Sequence, residues 1–261
     1  KILIDGGSYS SFGLVTTYYS GQLLTGPYDF PSYRYDSTRV FTNKPPCGPK
    51  RGHGSVQPRF AFECQLDEVA EQLGIDPIEI RRKNFHGEHT KTVNGQRITS
   101  SGFMECLEKV ERGSDWKARH RQLPTGQGLG VAGSMYISGT NYPIYPNDMP
   151  QAGIQLKVDR PGLVTVFSGA NDIGQGSNSV VRYIVAEELG MDVEHVRVIA
   201  ADSDLCPVDL GAYSSRVTFM VGNATIDAAR KLRKKVVTAV AEAWEVEERR
   251  VRLIEGRAID L

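Results

Sequence analysis

Apolar and polar positions recur regularly enough to divide most of the chain into elements. Lys1–Asp5 reads as a short strand ended by Gly6-Gly7, and a helical or mixed apolar stretch runs from Phe12 to Leu24. Tyr33–Thr42 alternates, with Tyr35, Val40 and Phe41 among polar residues, and predicts a strand. Asn43–Gly54 carries too many prolines and glycines for regular structure. From Ser55 the period becomes helical: Val56, Phe60, Cys64, Val69, Ala70 and Leu73 recur at short steps until Gly74. Asp76-Pro77 is an N-cap followed by proline at the first helical position, so a short helix over Pro77–Asn84 follows. Thr90–Thr99 predicts a surface hairpin around Asn94-Gly95, and Gly102–Arg112 an amphipathic helix.

After the glycine-rich link Pro124–Gly130 the chain becomes richer in strands. Ile154–Val158 and Val164–Ser168 flank the turn Asp159-Arg160-Pro161-Gly162 and predict a hairpin. A helix over Ser177–Leu189 closed by Gly190, a strand over Val196–Ala200 and a long helix over Thr218–Trp244 complete the pattern. The expected fold class is therefore mixed, α/β (α+β). A soft domain boundary falls between about residues 95 and 125, placed at 97/98.

Composition narrows the function. Lysine plus arginine (31) balance aspartate plus glutamate (31), which argues against nucleic acid or anionic membrane as the main partner. The basic run Arg230, Lys231, Arg233, Lys234 and Lys235 is most simply the solvated face of a helix. No apolar stretch approaches the roughly 20 residues of a membrane-spanning helix, so a soluble protein is expected. Cys47, Cys64, Cys106 and Cys206 form no C-x-x-C pair and no iron–sulfur spacing, and reduced cytosolic thiols are the default reading. The chain opens in strand-like sequence without an initiator methionine and closes in strand-like Arg257–Leu261. We expect an internal piece of a longer polypeptide.

Three loops that open helices carry the candidate chemistry. In Cys47–Gly54, glycine lets a ligand approach the backbone, Arg51 offers a bidentate donor, and His53 can stack or move a proton. In Asn171–Ser177, the G-Q-G segment offers a flexible backbone, free amides at a helix start and the two-way hydrogen bonding of Gln175. The dinucleotide spacing G-x-G-x-x-G is not completed there. In Asp209–Thr218, Ser214, Ser215 and Thr218 supply hydroxyls and Arg216 a fixed charge. Turn geometry and helix capping are the plain alternatives for each loop. Together, three such entrances suggest a large, polyanionic, heteroatom-rich ligand. His86, His89, His120 and His195 lack paired metal-ligand spacing, Asp202 and Asp204 suit turn capping, and Gly6–Ser10 resembles no nucleophile elbow.

In this order, the motifs resemble the molybdenum hydroxylase family, the xanthine oxidase and aldehyde oxidase group. The resemblance runs through Thr42–Pro45, Arg51-Gly52-His53-Gly54, Glu63–Ala70, Arg81–Asn84, Asp172–Gly176, and Gly211–Thr218 followed by Gly222-Asn223-Ala224. Within the family, Gly211–Arg216 and Arg51–Gly54 look most like the large subunit of 4-hydroxybenzoyl-CoA reductase. The resemblance implies a fragment of a cytoplasmic, hetero-oligomeric oxidoreductase in which 1–97 and 98–261 are parts of two molybdopterin-binding subdomains. It implies molybdenum held by a molybdopterin, as the cytosine dinucleotide, with no protein side chain on the metal. Iron–sulfur clusters and FAD belong to partner subunits. By position it puts Lys50 and Arg51 on the loop beside the metal, with Gly52 among the cofactor-binding residues, and Gly174, Gln175 and Gly176 on the pterin. Ala212, Tyr213, Ser214 and Ser215 fall on the pterin and phosphate side, and His53 in the substrate funnel. The family's catalytic glutamate is expected beyond Leu261 and a further glycine-rich cofactor loop before Lys1. The implied reaction is reductive dehydroxylation of an aromatic acyl-CoA; oxidative hydroxylation of a heterocycle or aldehyde, or a non-catalytic scaffold, are the alternatives.

Overall fold

In the computed structural model, residues 1–9, 13–139 and 152–261 are described; Ser10 and Phe12 of the readings above lie outside them. Packing divides the chain into two compact units, Lys1–Tyr136 and Ile137–Leu261. The division falls beyond the 95–125 segment because the stretch up to Tyr136 is held by the first unit. The amide of Gly133 donates to the buried Glu63 Oε2 at 2.8 Å, and its Cα sits against Tyr28 and Phe103 with no room for a side chain.

The first unit contains β1 (Ile2–Asp5), α1 (Gly13–Gln22) and β2 (Ser37–Val40), then α2 (Val56–Leu73) and α3 (Pro77–Asn84). The hairpin β3 (Thr90–Lys91) and β4 (Arg97–Ile98) and the helices α4 (Phe103–Gly113) and α5 (Trp116–Arg119) follow. β1 and β2 pair in parallel, Ile2 opposite Ser37, which shortens the strand expected over Tyr33–Thr42 to four residues. The caps form as the sequence predicts: Asp76 Oδ1 accepts from the Ile78 amide at 2.7 Å, and Gly74 ends α2 in the left-handed conformation at φ 63°. Tyr19, Leu23, Tyr28, Ala70, Ile78, Leu107 and Trp116 are buried.

The apolar positions that define α2 in sequence lie mostly outside. Val56, Phe60, Val69 and Leu73 are exposed, while Arg59 and Glu63 are buried. Charge explains the inversion. Arg81 Nε donates to Glu63 Oε2 at 2.8 Å, Arg59 Nη1 lies 3.6 Å from Glu63 Oε1, and Arg59 Nη2 donates to the carbonyls of Leu23 and Leu24. Each buried charge is thus compensated, the condition under which burial is tolerated.

The second unit is built around a three-stranded sheet. β5 (Ile154–Val158) and β6 (Val164–Ser168) form the expected hairpin, with the Asp159 carboxylate accepting from the Leu163 amide at 2.8 Å. α6 (Ser177–Leu189) then carries the chain to β7 (Val196–Ala200), which pairs in parallel with β6. A π-helical turn at Val217–Val221 enters α7 (Gly222–Trp244), and the hairpin β8 (Val251–Ile254) and β9 (Arg257–Asp260) follows. The core joins Val164 and Val166 of β6 to Val181, Val185 and Leu189 of α6, Val196 of β7, and Val217 and Val221 of the π-turn. Fully burying each such side chain contributes about 1.5–3 kcal/mol. On α7, Arg230 pairs with Glu188 at 2.9 Å and Lys231 with Asp227 at 2.7 Å, both arginine and lysine well exposed, as a solvated basic face requires.

Candidate cofactor site

The loop that opens α2 is braced from below by β1 and α1. The Asp5 carboxylate accepts from Thr42 Oγ1 at 2.6 Å and from the Gly7 amide, and pairs with Lys44 at 2.9 Å. These hydrogen bonds, Thr42 first, hold its pKa down to about 2. Further on, Ser20 Oγ donates to the Gly54 carbonyl at 2.8 Å. Gly54 has φ 82°, and a Cβ there would lie 2.4 Å from the Thr16 carbonyl, so only glycine fits against α1. Lys50 and Arg51 are exposed on the crest of this loop and Gly52 is half-buried.

His53 does not project outward. Its ring is 4% exposed and packs on Tyr19 with centroids 4.7 Å apart. The backbone takes φ 26°, an unusual value for a residue with a side chain. Neither ring nitrogen has a hydrogen-bond partner among the described residues, and burial lowers its pKa. Buried polar atoms are seldom left unpaired in folded proteins.

The two candidate loops of the second unit leave the same end of its sheet. β6 and β7 are parallel, so Asn171–Ser177 and Asp209–Arg216 both follow strand carboxyl ends, the position at which open α/β sheets bind ligands. They are also tied together. A Cβ on Gly169 would lie 2.3 Å from the Pro207 carbonyl and 2.8 Å from Asp209 Cβ, so the second loop lies directly on the backbone that leads into the first.

The amides expected to be free at the start of α6 are occupied. Asp172 Oδ1 accepts from Gly174 at 2.9 Å and Gly176 at 3.4 Å, and Oδ2 from Asn178 at 3.1 Å. The Gly174 amide first, then Asn178, keep this exposed carboxylate below its ordinary pKa. Gln175 turns inward on its own loop, donating to the Asn171 carbonyl at 3.0 Å and accepting from the Ile173 amide at 2.6 Å. A carboxylate two residues before a glycine pair is a strong local acceptor, which is why the loop satisfies itself.

In the last loop Ala212 and Tyr213 are half-buried, Ser214 is buried and Ser215 is exposed. Arg216 is not available as an external charge. Its side chain is wholly buried and its Nη1 donates to Asp209 Oδ1 at 2.8 Å and to the Gly211 carbonyl at 2.6 Å. Asp209, which sequence reasoning passed over, was signalled by an aspartate and an arginine seven residues apart in one loop. Elsewhere, Asp202 caps a turn by accepting from Asp204 and Leu205, and His120 stacks on Trp116. Among the described residues no three His, Cys, Asp or Glu side chains gather as a metal site.

Each unit, taken by itself, offers features that suit an anionic, heteroatom-rich group. Lys50 and Arg51 are exposed cations, His53 is an unsatisfied buried ring, and a Cβ at Gly174, Gly176 or Gly211 would meet no atom within 4 Å. In the second unit, open glycine backbone lies at the strand ends where open α/β sheets take their ligands.

Comparison with known proteins names the cofactor. Two molybdopterin cofactor-binding domains match, over residues 1–85 and 106–260. The putative xanthine dehydrogenase molybdenum-binding subunit XdhA of Escherichia coli (strain K12) is 36% identical over 99% of this chain and 35% of its own length. The nicotine 6-hydroxylase large subunit of Paenarthrobacter nicotinovorans is 29% identical over 98% of this chain and 33% of its own. The crystal structure of quinoline 2-oxidoreductase from Pseudomonas putida 86 superposes with a TM-score of 0.87 at 25% identity, covering 99% of this chain and 35% of that one. The chain belongs to the molybdenum hydroxylase family, whose large subunits bind molybdopterin. It spans about a third of the length of the curated relatives it matches.

Proposed function

We propose that this chain is part of the molybdopterin-binding subunit of a molybdenum hydroxylase that oxidatively hydroxylates an aromatic heterocycle or an aldehyde, with water supplying the oxygen. The observation that carries this is the pair of tethered, glycine-open loops at the carboxyl ends of β6 and β7, inside a chain matched along its length by molybdopterin-binding subunits. The direction of the reaction follows the relatives. Xanthine dehydrogenase, nicotine 6-hydroxylase, quinoline 2-oxidoreductase and aldehyde oxidoreductase are the names carried by similar proteins, and this displaces dehydroxylation of 4-hydroxybenzoyl-CoA as the favoured reaction.

When bound, the molybdopterin supplies the redox chemistry, and the protein supplies orientation and charge. Lys50 and Arg51 would lie beside the metal and offset the negative charge there, with Gly52 allowing a close backbone approach. Gly174, Gln175 and Gly176 present a preformed edge to the pterin, and Ala212–Ser215 line its phosphate side. His53 is turned inward against Tyr19, so it would shape the substrate funnel from behind the loop and not by stacking on the substrate. The cofactor is the cytosine dinucleotide form, the segments matched at 1–85 and 106–260 belong to successive cofactor-binding subdomains, and iron–sulfur and flavin subunits carry electrons onward in the cytoplasm.

The test is made on the full-length subunit in its complex. Reduction of an artificial dye on adding hypoxanthine, quinoline or an aromatic aldehyde is the expected result. Consumption of 4-hydroxybenzoyl-CoA that depends on an added reductant, without dye reduction, reverses the direction. A complex that contains neither molybdenum nor pterin is a scaffold and overturns the proposal.

A further inference from the structure

We propose that the buried Asp209–Arg216 pair is the positioning clamp of the cofactor loop: it holds residues 210–215 in their binding shape before any cofactor arrives. The inference rests on the reading that this loop takes the molybdopterin.

Four observations meet at the pair. Both side chains are removed from water, Arg216 at 0% and Asp209 at 1% exposure, although the loop they bracket is partly exposed. The guanidinium closes on the carboxylate through two nitrogens, Nη1 at 2.8 Å and Nη2 at 3.3 Å, while the same carboxylate accepts from the Gly211 amide at 2.8 Å. The bracketed loop holds an uncommon conformation, since Ser214 and Ser215 both sit at φ 50°. Two consecutive non-glycine residues there are costly and persist only when their surroundings fix them. Finally, Arg216 leads directly into the π-turn at Val217–Val221, a geometry often found at functional sites.

The alternative role for Arg216, a direct contact to a cofactor phosphate, is inconsistent with this arrangement. Its charge is already matched by Asp209, its Nη1 is shared with the Gly211 carbonyl, and its guanidinium lies 5.6 Å from the centre of the Tyr213 ring. Freeing it would strand a buried carboxylate. The pair acts through backbone shape. Asp209 is pinned on one side by Gly169 at the end of β6, Arg216 on the other by the Val217 and Val221 core, and the serines are held between them. The Gly139 amide adds a hydrogen bond to the Ser214 carbonyl at 3.1 Å.

Arg216→Lys is the informative variant, because it keeps the charge and loses the fork. In the full-length enzyme complex, loss of pterin is followed by the fluorescence of the released cofactor, and backbone opening by hydrogen exchange. The expected result is pterin release about 10- to 100-fold faster, the range for partners that orient a bound group from behind. Amides 210–215 should exchange faster while those of β6 stay protected. A folded variant that releases pterin at the wild-type rate overturns the clamp and leaves the functional reading standing. A wild-type complex without pterin defeats the functional reading and the clamp together. A second measurement needs no variant. In wild-type complex cleared of cofactor, the 210–215 amides should keep their protection to within about tenfold of the loaded form, because a preorganised loop needs no ligand to hold it. Wholesale opening of the loop on clearing overturns the inference.

Discussion

Both units bury an arginine against a carboxylate, and the two burials serve different ends. In the first unit, Glu63, Arg59 and Arg81 join α2 to α3, to the end of α1 and to the Gly133 strand of backbone. Its candidate loop, 47–54, is left with exposed cations and an unsatisfied imidazole. In the second unit a valine-rich core suffices for the sheet and helices, and the buried pair lies inside the candidate loop itself. Buried charge is a poor source of stability and a good source of unique geometry, so its position shows which geometry the protein must fix. In one unit that is the relation between helices; in the other it is the candidate loop.

The largest expected effect tests the first half of this contrast. Glu63→Ala leaves the buried Arg59 without its carboxylate and Arg81 with Asp67 alone, at 2.7 Å, and should destabilise the first unit by about 3 kcal/mol, read by urea denaturation of the full-length subunit. Replacing Glu63, Arg59 and Arg81 together by Leu, Met and Met should recover most of that loss, because an apolar core of similar volume needs no compensation. If Glu63→Ala alone costs no more than an ordinary surface change, the triad is ornamental and the contrast fails.

A smaller effect is expected at the tether of the second unit. Gly169→Ala places a methyl group against the Pro207 carbonyl and Asp209 Cβ, overpacking worth about 1–3 kcal/mol. The displacement falls on the loop, so thermal stability should drop modestly and hydrogen exchange should quicken at 207–211 before it does in β6. Equal loosening of strand and loop would mean that the loop is not a separately positioned element.

What was legible in the sequence follows the same line. The Asp76 cap, the Gly74 and Gly190 stops and the Asp159–Gly162 turn were readable because each is settled within a few residues by backbone sterics and one side chain. The three loops were readable as loops for the same reason. The partners of their polar groups were not, because hydrogen bonding in a loop is decided by competition. Asp172 takes the amides that the G-Q-G motif offers, and Asp209 takes the charge of Arg216. The parallel pairing of β1 with β2 and the inward turn of Arg59 and Glu63 depend on contacts distant in the chain, for which an apolar periodicity carries no signal.

The smallest effect concerns the one loop whose imidazole is unsatisfied. Burial lowers the pKa of His53 below its ordinary value of 6.5, so the folded chain favours the neutral ring. In the unfolded chain the same ring takes up a proton as pH falls through about 6.5. The unfolded state therefore binds more protons in that window, and stability falls with pH until the folded value is reached. One ring contributes at most one proton to this difference, so the slope from His53 stays below about 1.4 kcal/mol per pH unit. Comparing unfolding free energy at pH 7 and pH 5.5 in the cofactor-free subunit, His53→Phe should flatten the slope, with phenylalanine keeping the contact with Tyr19. If the slope is unchanged, the ring was already satisfied in solution, and the first unit's loop would resemble the self-contained loops of the second. If the slope vanishes in the variant and also in the wild-type complex with cofactor and substrate analogue bound, the missing partner of His53 belongs to the ligand, and the contrast between an open loop and two closed ones stands.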